Sequence, residues 1–166
     1  MHFAKLLRLL HALEDSFLVL LLSTMITLAF TQIILRNFFD SGLSWISPAL
    51  RLLVLWVGMV GAMIATREEH HICIDVLTRS VRLPERLKQT LQIIVELFTS
   101  LVTGIITYHA ARMVIMDREE AGIAFADMPL WFCELIIPLA FGVIALRYCI
   151  FALRHARQLF AAQAAQ

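Results

Sequence analysis

Histidine and carboxylate side chains offer this sequence its widest chemistry, and their positions restrict what that chemistry is. His11, His70, His71 and His155 fall near one end of long apolar runs. A shared depth of that kind is what a b-type haem or a metal centre in a helical bundle needs. These histidines lie at the ends of the runs rather than inside them, where an interfacial hydrogen-bonding imidazole is the ordinary role. His109 lies nearer the opposite side. The expectation is no cofactor, no metal and no catalytic residue.

Arg51, Glu96 and Glu134 are the charges that fall within apolar runs. An unpaired ion in hydrocarbon is expensive, so each must line a proton path, pair within the bundle or meet another subunit. No cation matches Glu96 in its surroundings along the chain, and pairing or subunit contact outweighs proton conduction. At about 1.5 Å per residue, Arg51 and Glu134 lie roughly 24 Å and roughly 20 Å above the level marked by Arg67 and Arg147. Opposite charges at similar depth make an expected pair; the competing reading has Arg51 snorkelling to headgroups.

A polar stretch from Arg67 through Glu68, Glu69, His70 and His71 to Asp75 follows the second apolar run. It is either an interfacial anchor or a turn shaped by His71 and Asp75 for partner docking. No phosphate-binding G-x-x-x-x-G-K, no H-E-x-x-H and no G-x-S-x-G occurs, so ATP hydrolysis and soluble-type catalysis are not expected. Cys73, Cys133 and Cys149 are widely spaced and form neither a redox pair nor a disulfide framework.

The elements that must position these residues are membrane helices. Of 166 residues, 60% are hydrophobic and 16% charged, against roughly a quarter charged in soluble domains. Net charge is +1, which implies no nucleic-acid partner. The expected fold is all-α, one four-span membrane domain over 1–166, with spans at about 16–35, 45–66, 89–111 and 128–147. The first run is too long for a signal peptide core, Glu14 and Asp15 interrupt its approach, and it is expected to stay as a helix. Pro129 suits a helix start, and Pro138 predicts a kink. Gly58, Gly61, Ala62 and Ala65 form a small-residue stripe that permits close helix approach. Ile72, Val76, Leu77 and Leu83 suggest a short interfacial helix ended by Pro84, and 37–47 a weaker one.

Orientation follows from the 14 Lys and Arg residues. Lys5, Arg8, Arg67, Arg79, Arg82, Arg86, Lys88, Arg147, Arg154 and Arg157 collect on one side; Arg36, Arg51, Arg112 and Arg118 on the other. The richer side is cytoplasmic by the positive-inside rule, which puts both termini there. Trp45 and Trp131 then fall near the outer interface.

The order of these residues resembles the small membrane subunit of the TRAP (tripartite ATP-independent periplasmic) transporters, the DctQ family. The family's second-span pattern is met by Trp45, Arg51, Trp56 and Gly61-Ala62, followed by Arg67, His71-Ile72, Asp75 and Leu83-Pro84. In the fourth span, Pro129, Trp131, Ile137-Pro138 and Phe141-Gly142 match. Where the family commonly carries a Glu soon after its first Trp, this chain has Ser47-Pro48. The resemblance implies a non-catalytic scaffold subunit in the bacterial inner membrane, surrounded by membrane lipid. Its partners would be a large membrane subunit and a periplasmic substrate-binding protein. Transport would be secondary-active and sodium-driven, importing an organic acid such as a C4-dicarboxylate. Structural or partner-contact roles fall to Trp45, Arg51, Trp56, Gly61, Arg67, His71, Asp75, Glu96, Glu134 and Pro138. Two other classes remain open on the residues alone: a haem- or quinone-binding redox subunit, and an independent small channel or exporter.

Overall fold

The computed structural model describes residues 2–38, 45–67, 85–120, 122–123 and 128–164. Helices α1 (His2–Phe38), α2 (Ile46–Ala65), α3 (Glu85–Glu119), α4 (Leu130–Glu134) and α5 (Ile136–Ala164) make up the fold, and the described residues form no strand. Among the described residues, four helical stretches are long and apolar enough to cross a membrane: Leu9–Phe38, Ile46–Ala65, Gln89–Glu119 and Leu130–Arg157. Segments expected as interfacial helices fall mainly on residues 39–44 and 68–84, outside the described residues.

Helix α1 begins far earlier than the apolar run alone predicts. No Gly or Pro interrupts His2–Phe38, so nothing breaks the backbone ladder where the charges begin. At about 1.5 Å per residue its 37 residues reach roughly 55 Å, more than a hydrocarbon core of ~30 Å. The hydroxyls of Thr24, Thr27 and Thr31 each donate to the carbonyl four residues back at 2.8 Å. Polar groups on an exposed apolar helix are thereby satisfied without water.

Pro138 explains the interruption of the fourth span. A proline removes its own N–H and crowds the carbonyl four residues earlier, here that of Glu134. The helix breaks at Leu135, between α4 and α5, and resumes with Leu139 N–H donating to the Leu135 carbonyl at 3.3 Å. Pro129 is the N-cap of α4, extended at φ −70 and ψ 137, one residue before its expected place inside the first turn.

The long helices stand in a row. Helix α1 packs on α2, α2 on α5, and α5 on α3, while α1 and α3 make no comparable contact. Leu21, Val60 and Ile136 form the apolar centre where α1, α2 and α5 meet. On the other flank, Ser100 donates to the Ala145 carbonyl at 3.1 Å, and a side chain at Gly142 would meet Thr107 Cγ2 at 3.5 Å. Small residues let α3 and α5 approach closely there. Away from these seams the row is open, with Ile26, Phe30 and Ile33 of α1 and Phe98, Leu101 and Ile105 of α3 exposed.

Candidate functional site

Arg67 is the sequence-flagged residue with the most extensive partners. It stands just beyond α2 and reaches α1, where its Nε donates to Glu14 Oε2 at 2.8 Å. Its terminal nitrogens donate to Asp15 Oδ1 at 2.7 Å and to the His11 carbonyl at 3.0 Å. Arg147 of α5 approaches the same carboxylate from the other side, donating to Glu14 Oε1 at 2.7 Å. It also donates to the Met63 carbonyl and, at 3.3 Å, to the Thr66 hydroxyl, which caps the end of α2. Among the described residues two guanidiniums and two carboxylates thus balance, and three helices are joined through one carboxylate. Planar, bidentate-capable arginines are suited to such a junction.

Glu96 corrects an expectation. It is fully buried on α3, yet it is matched within the chain: His155 Nδ1 on α5 lies 3.0 Å from its Oε1. Gln92 Nε2 donates to the same carboxylate at 3.4 Å and lies 3.4 Å from His155 Nε2. The imidazole that a haem or metal reading would have claimed is occupied by a carboxylate instead. Among the described residues, no group of three potential ligands gathers to hold a metal.

Trp56 links α2 to the broken span. Its indole Nε1 donates to the Cys133 carbonyl at 3.0 Å, in α4 just before the Pro138 break. Phe17 and Phe132 flank the ring at centroid distances of 6.3 and 5.9 Å, tilted rather than stacked. An indole placed this way combines a large packing surface with a donor for the carbonyl of the buried Cys133.

The expected Arg51–Glu134 ion pair does not form. Both residues line one open groove of about 490 Å³, so their shared depth is real. Arg51 is exposed on α2, whereas Glu134 lies against the carboxyl of Asp117 from α3. Glu134 Oε2 and Asp117 Oδ2 are buried without a hydrogen-bond partner.

The family described as tripartite ATP-independent periplasmic transporters, DctQ component, matches residues 25–158. This chain belongs to the DctQ family. Among Haemophilus influenzae proteins, the sialic acid TRAP transporter permease protein SiaT is 33% identical over 90 residues, covering 51% of this chain and 14% of SiaT. A putative TRAP transporter small permease protein is 24% identical over 102 residues, 61% of each chain. A second protein of that description is 33% identical over 61 residues, 37% of this chain and 38% of the relative. The matched region therefore spans less than two thirds of each of these relatives. DctQ chains are membrane-embedded transporter components.

The structure of this DctQ chain separates the flagged residues into groups. Arg67 joins the Glu14–Arg147 junction, Glu96 the α3–α5 pair, and Trp56 the break set by Pro138. Trp45 is exposed at the start of α2. Gly61 and Gly58 have nothing within 4 Å of where a side chain would sit, so the small-residue stripe is not a seam within this chain. His71 and Asp75 lie outside the described residues. Glu14 and Arg147 are partners that the sequence signalled only as charges near the ends of apolar runs, and His155 was signalled as an imidazole without a partner.

Proposed function

We propose that this DctQ chain is the small scaffold subunit of a secondary-active TRAP transporter importing an organic acid, a C4-dicarboxylate or similar carboxylate. Its partners in this reading are a large membrane subunit, which carries the substrate and the sodium coupling, and a periplasmic substrate-binding protein. The chain itself performs no catalysis. One observation carries the reading. The described helices form an open row in which Glu14, Arg67, Arg147, Glu96 and His155 are engaged in joining neighbours, while nothing lies within 4 Å of where a side chain would sit at Gly58 and Gly61 of α2. A row of this kind has little with which to build a substrate and ion site at the bilayer midplane, but it offers close-approach surface to another membrane protein. Trp45 and Gly61 are proposed as partner contacts, and His71 and Asp75 are proposed as such from the sequence pattern. SiaT is by name a sialic acid permease, and sialic acid is itself a carboxylate.

Orientation belongs to the same proposal: an inner-membrane chain with both termini cytoplasmic, as the Lys and Arg distribution favours. Reporter fusions after residues 40, 80 and 120 and at the C-terminus test it, with outside, inside, outside, inside expected. The complex is tested by affinity capture of the tagged chain from mild detergent. A larger multispan protein should co-purify at fixed stoichiometry; recovery of the chain alone from cells that carry out the uptake contradicts the proposal.

A further inference from the structure

We propose that this chain is hinged: α1 with α2, and α3 with α4 and α5, are two bodies that pivot about the Arg147 junction. Trp56 is the strap that limits how far they open. Each body is tied along its length. In the first, Gln32 Nε2 donates to the Ser47 hydroxyl at 2.8 Å near one end, and Arg67 holds Glu14 and Asp15 at the other. In the second, Glu96 meets His155, Ser100 meets the Ala145 carbonyl, and Arg118 lies 6.0 Å over the Trp131 ring. The Leu130 N–H also donates to the Gly122 carbonyl at 2.9 Å, which ties α4 to the chain leaving α3.

The seam between the bodies is shorter. Helices in hydrocarbon gain nothing by hiding apolar surface from water, so they adhere where packing and polar contacts hold them. Here those contacts run from Trp56, on the Cys133 carbonyl, to Met63 and Thr66, on the Arg147 guanidinium. From Trp56 to Thr66 helical rise covers about 15 Å, half of a core of ~30 Å. Val60 and Ile136 pack together within that stretch. Beyond Trp56, α2 and α4 stand apart as the walls of an open groove of about 490 Å³, Pro48 and Leu52 on one side, Leu130 and Glu134 on the other. A seam closed over one half and open over the other lets its walls rotate about the closed end. The two fasteners also differ in strength. Arg147 engages Glu14 of α1 and two groups at the end of α2 through charge-assisted bonds, and so forms the pivot. Trp56 contributes one neutral hydrogen bond, with Phe17 and Phe132 beside its ring. It stands where the groove begins, so it limits the opening. The hinge belongs to this chain and does not depend on the substrate or partners proposed above.

Spin-label distance measurements by double electron–electron resonance test the hinge, on the full-length chain in the complex in which it is extracted, returned to nanodiscs. The background carries Cys73→Ala, Cys133→Ala and Cys149→Ala, which leaves the Cys133 carbonyl in place. Labels at Ile33→Cys and Met113→Cys span α1 and α3 at the Arg51 end, and labels at Leu13→Cys and Ile94→Cys span them at the Arg67 end; all four side chains are exposed. Trp56→Phe keeps a ring but loses the donor, and should broaden the distances at the Arg51 end while those at the Arg67 end hold. A pivot of about 10°, within the ordinary spread of helix crossing angles, over an arm of ~30 Å extends them by about 5 Å. Trp56→Ala, which removes the ring as well, should go further. Arg147→Gln should broaden the Arg67 end instead. Within the first body, the distance from Ile33→Cys to Val54→Cys should hold in every variant. Unchanged distances at the Arg51 end in both Trp56→Phe and Trp56→Ala overturn the proposal. So does equal broadening at the two ends in those variants, which marks uniform loosening, or movement between Ile33 and Val54.

Discussion

The two ends of the helix row treat charge in opposite ways. At the Arg67 end, Arg67 and Arg147 converge on Glu14, Asp15 completes the balance, and a little deeper in the fold Glu96 finds His155. At the Arg51 end, a cation and a carboxyl share one groove without pairing, and Glu134 sits against another carboxyl. Among the described residues the first end is matched in charge, and it fastens α1, α2 and α5 together. The second finds no opposite charge among the described residues: Arg51 is exposed, while Glu134 and Asp117 each keep a buried oxygen without a hydrogen-bond partner. A membrane subunit built this way is held together at one end and left receptive at the other.

Removing the shared carboxylate should break the comparison most severely. Glu14→Ala leaves two part-buried guanidiniums facing each other, at a cost of about 3 kcal/mol. Thermal unfolding in detergent should show a large fall in midpoint, and Glu14→Asp, which keeps the charge, a smaller one. An unchanged midpoint for Glu14→Ala would mean the junction is incidental. His155→Ala should follow closely, because it leaves the fully buried Glu96 without its imidazole; the double variant His155→Ala with Glu96→Gln should recover part of the loss. If the double variant is less stable than either single one, the two side chains do not act as a pair.

Smaller effects sharpen the contrast. Trp56→Phe keeps an aromatic ring but deletes the donor to the Cys133 carbonyl, for a loss of about 1 kcal/mol in the same assay. Gly61→Leu and Arg51→Gln should each leave the chain's own midpoint within ~0.5 kcal/mol. Gly61→Leu should nonetheless reduce recovery of the large subunit in detergent capture. Loss of stability in the isolated chain on Gly61→Leu would place that face against this chain's own helices.

The sequence made depth legible and left rotation hidden. Runs of about twenty apolar residues mark the four spans, because the bilayer fixes their length. Pro138 gave away the break at Leu135, because the loss of one N–H is local chemistry. Helical rise placed Arg51 and Glu134 at one level, which the shared groove bears out. Rise does not say which way each helix is turned or which helices adjoin, and there the ion-pair expectation failed: Asp117, from α3, stands beside Glu134 instead. Glu14 and Arg147 are 133 positions apart, and Glu96 and His155 59 apart. Glu14, Arg147 and His155 were visible near the ends of apolar runs and Glu96 within one, but their union depends on how α1, α2, α3 and α5 stand in the row. The α2 stripe shows the same limit: small residues permit a close approach without naming what approaches, and Gly58 and Gly61 meet nothing within this chain.

Reconstituted uptake tests the scaffold assignment most directly. Proteoliposomes carrying the large membrane subunit with this chain, supplied with the binding protein and an inward sodium gradient, should accumulate the carboxylate substrate. Those carrying either membrane chain alone should not. Accumulation by this chain alone, or full uptake by the large subunit without it, would contradict the account.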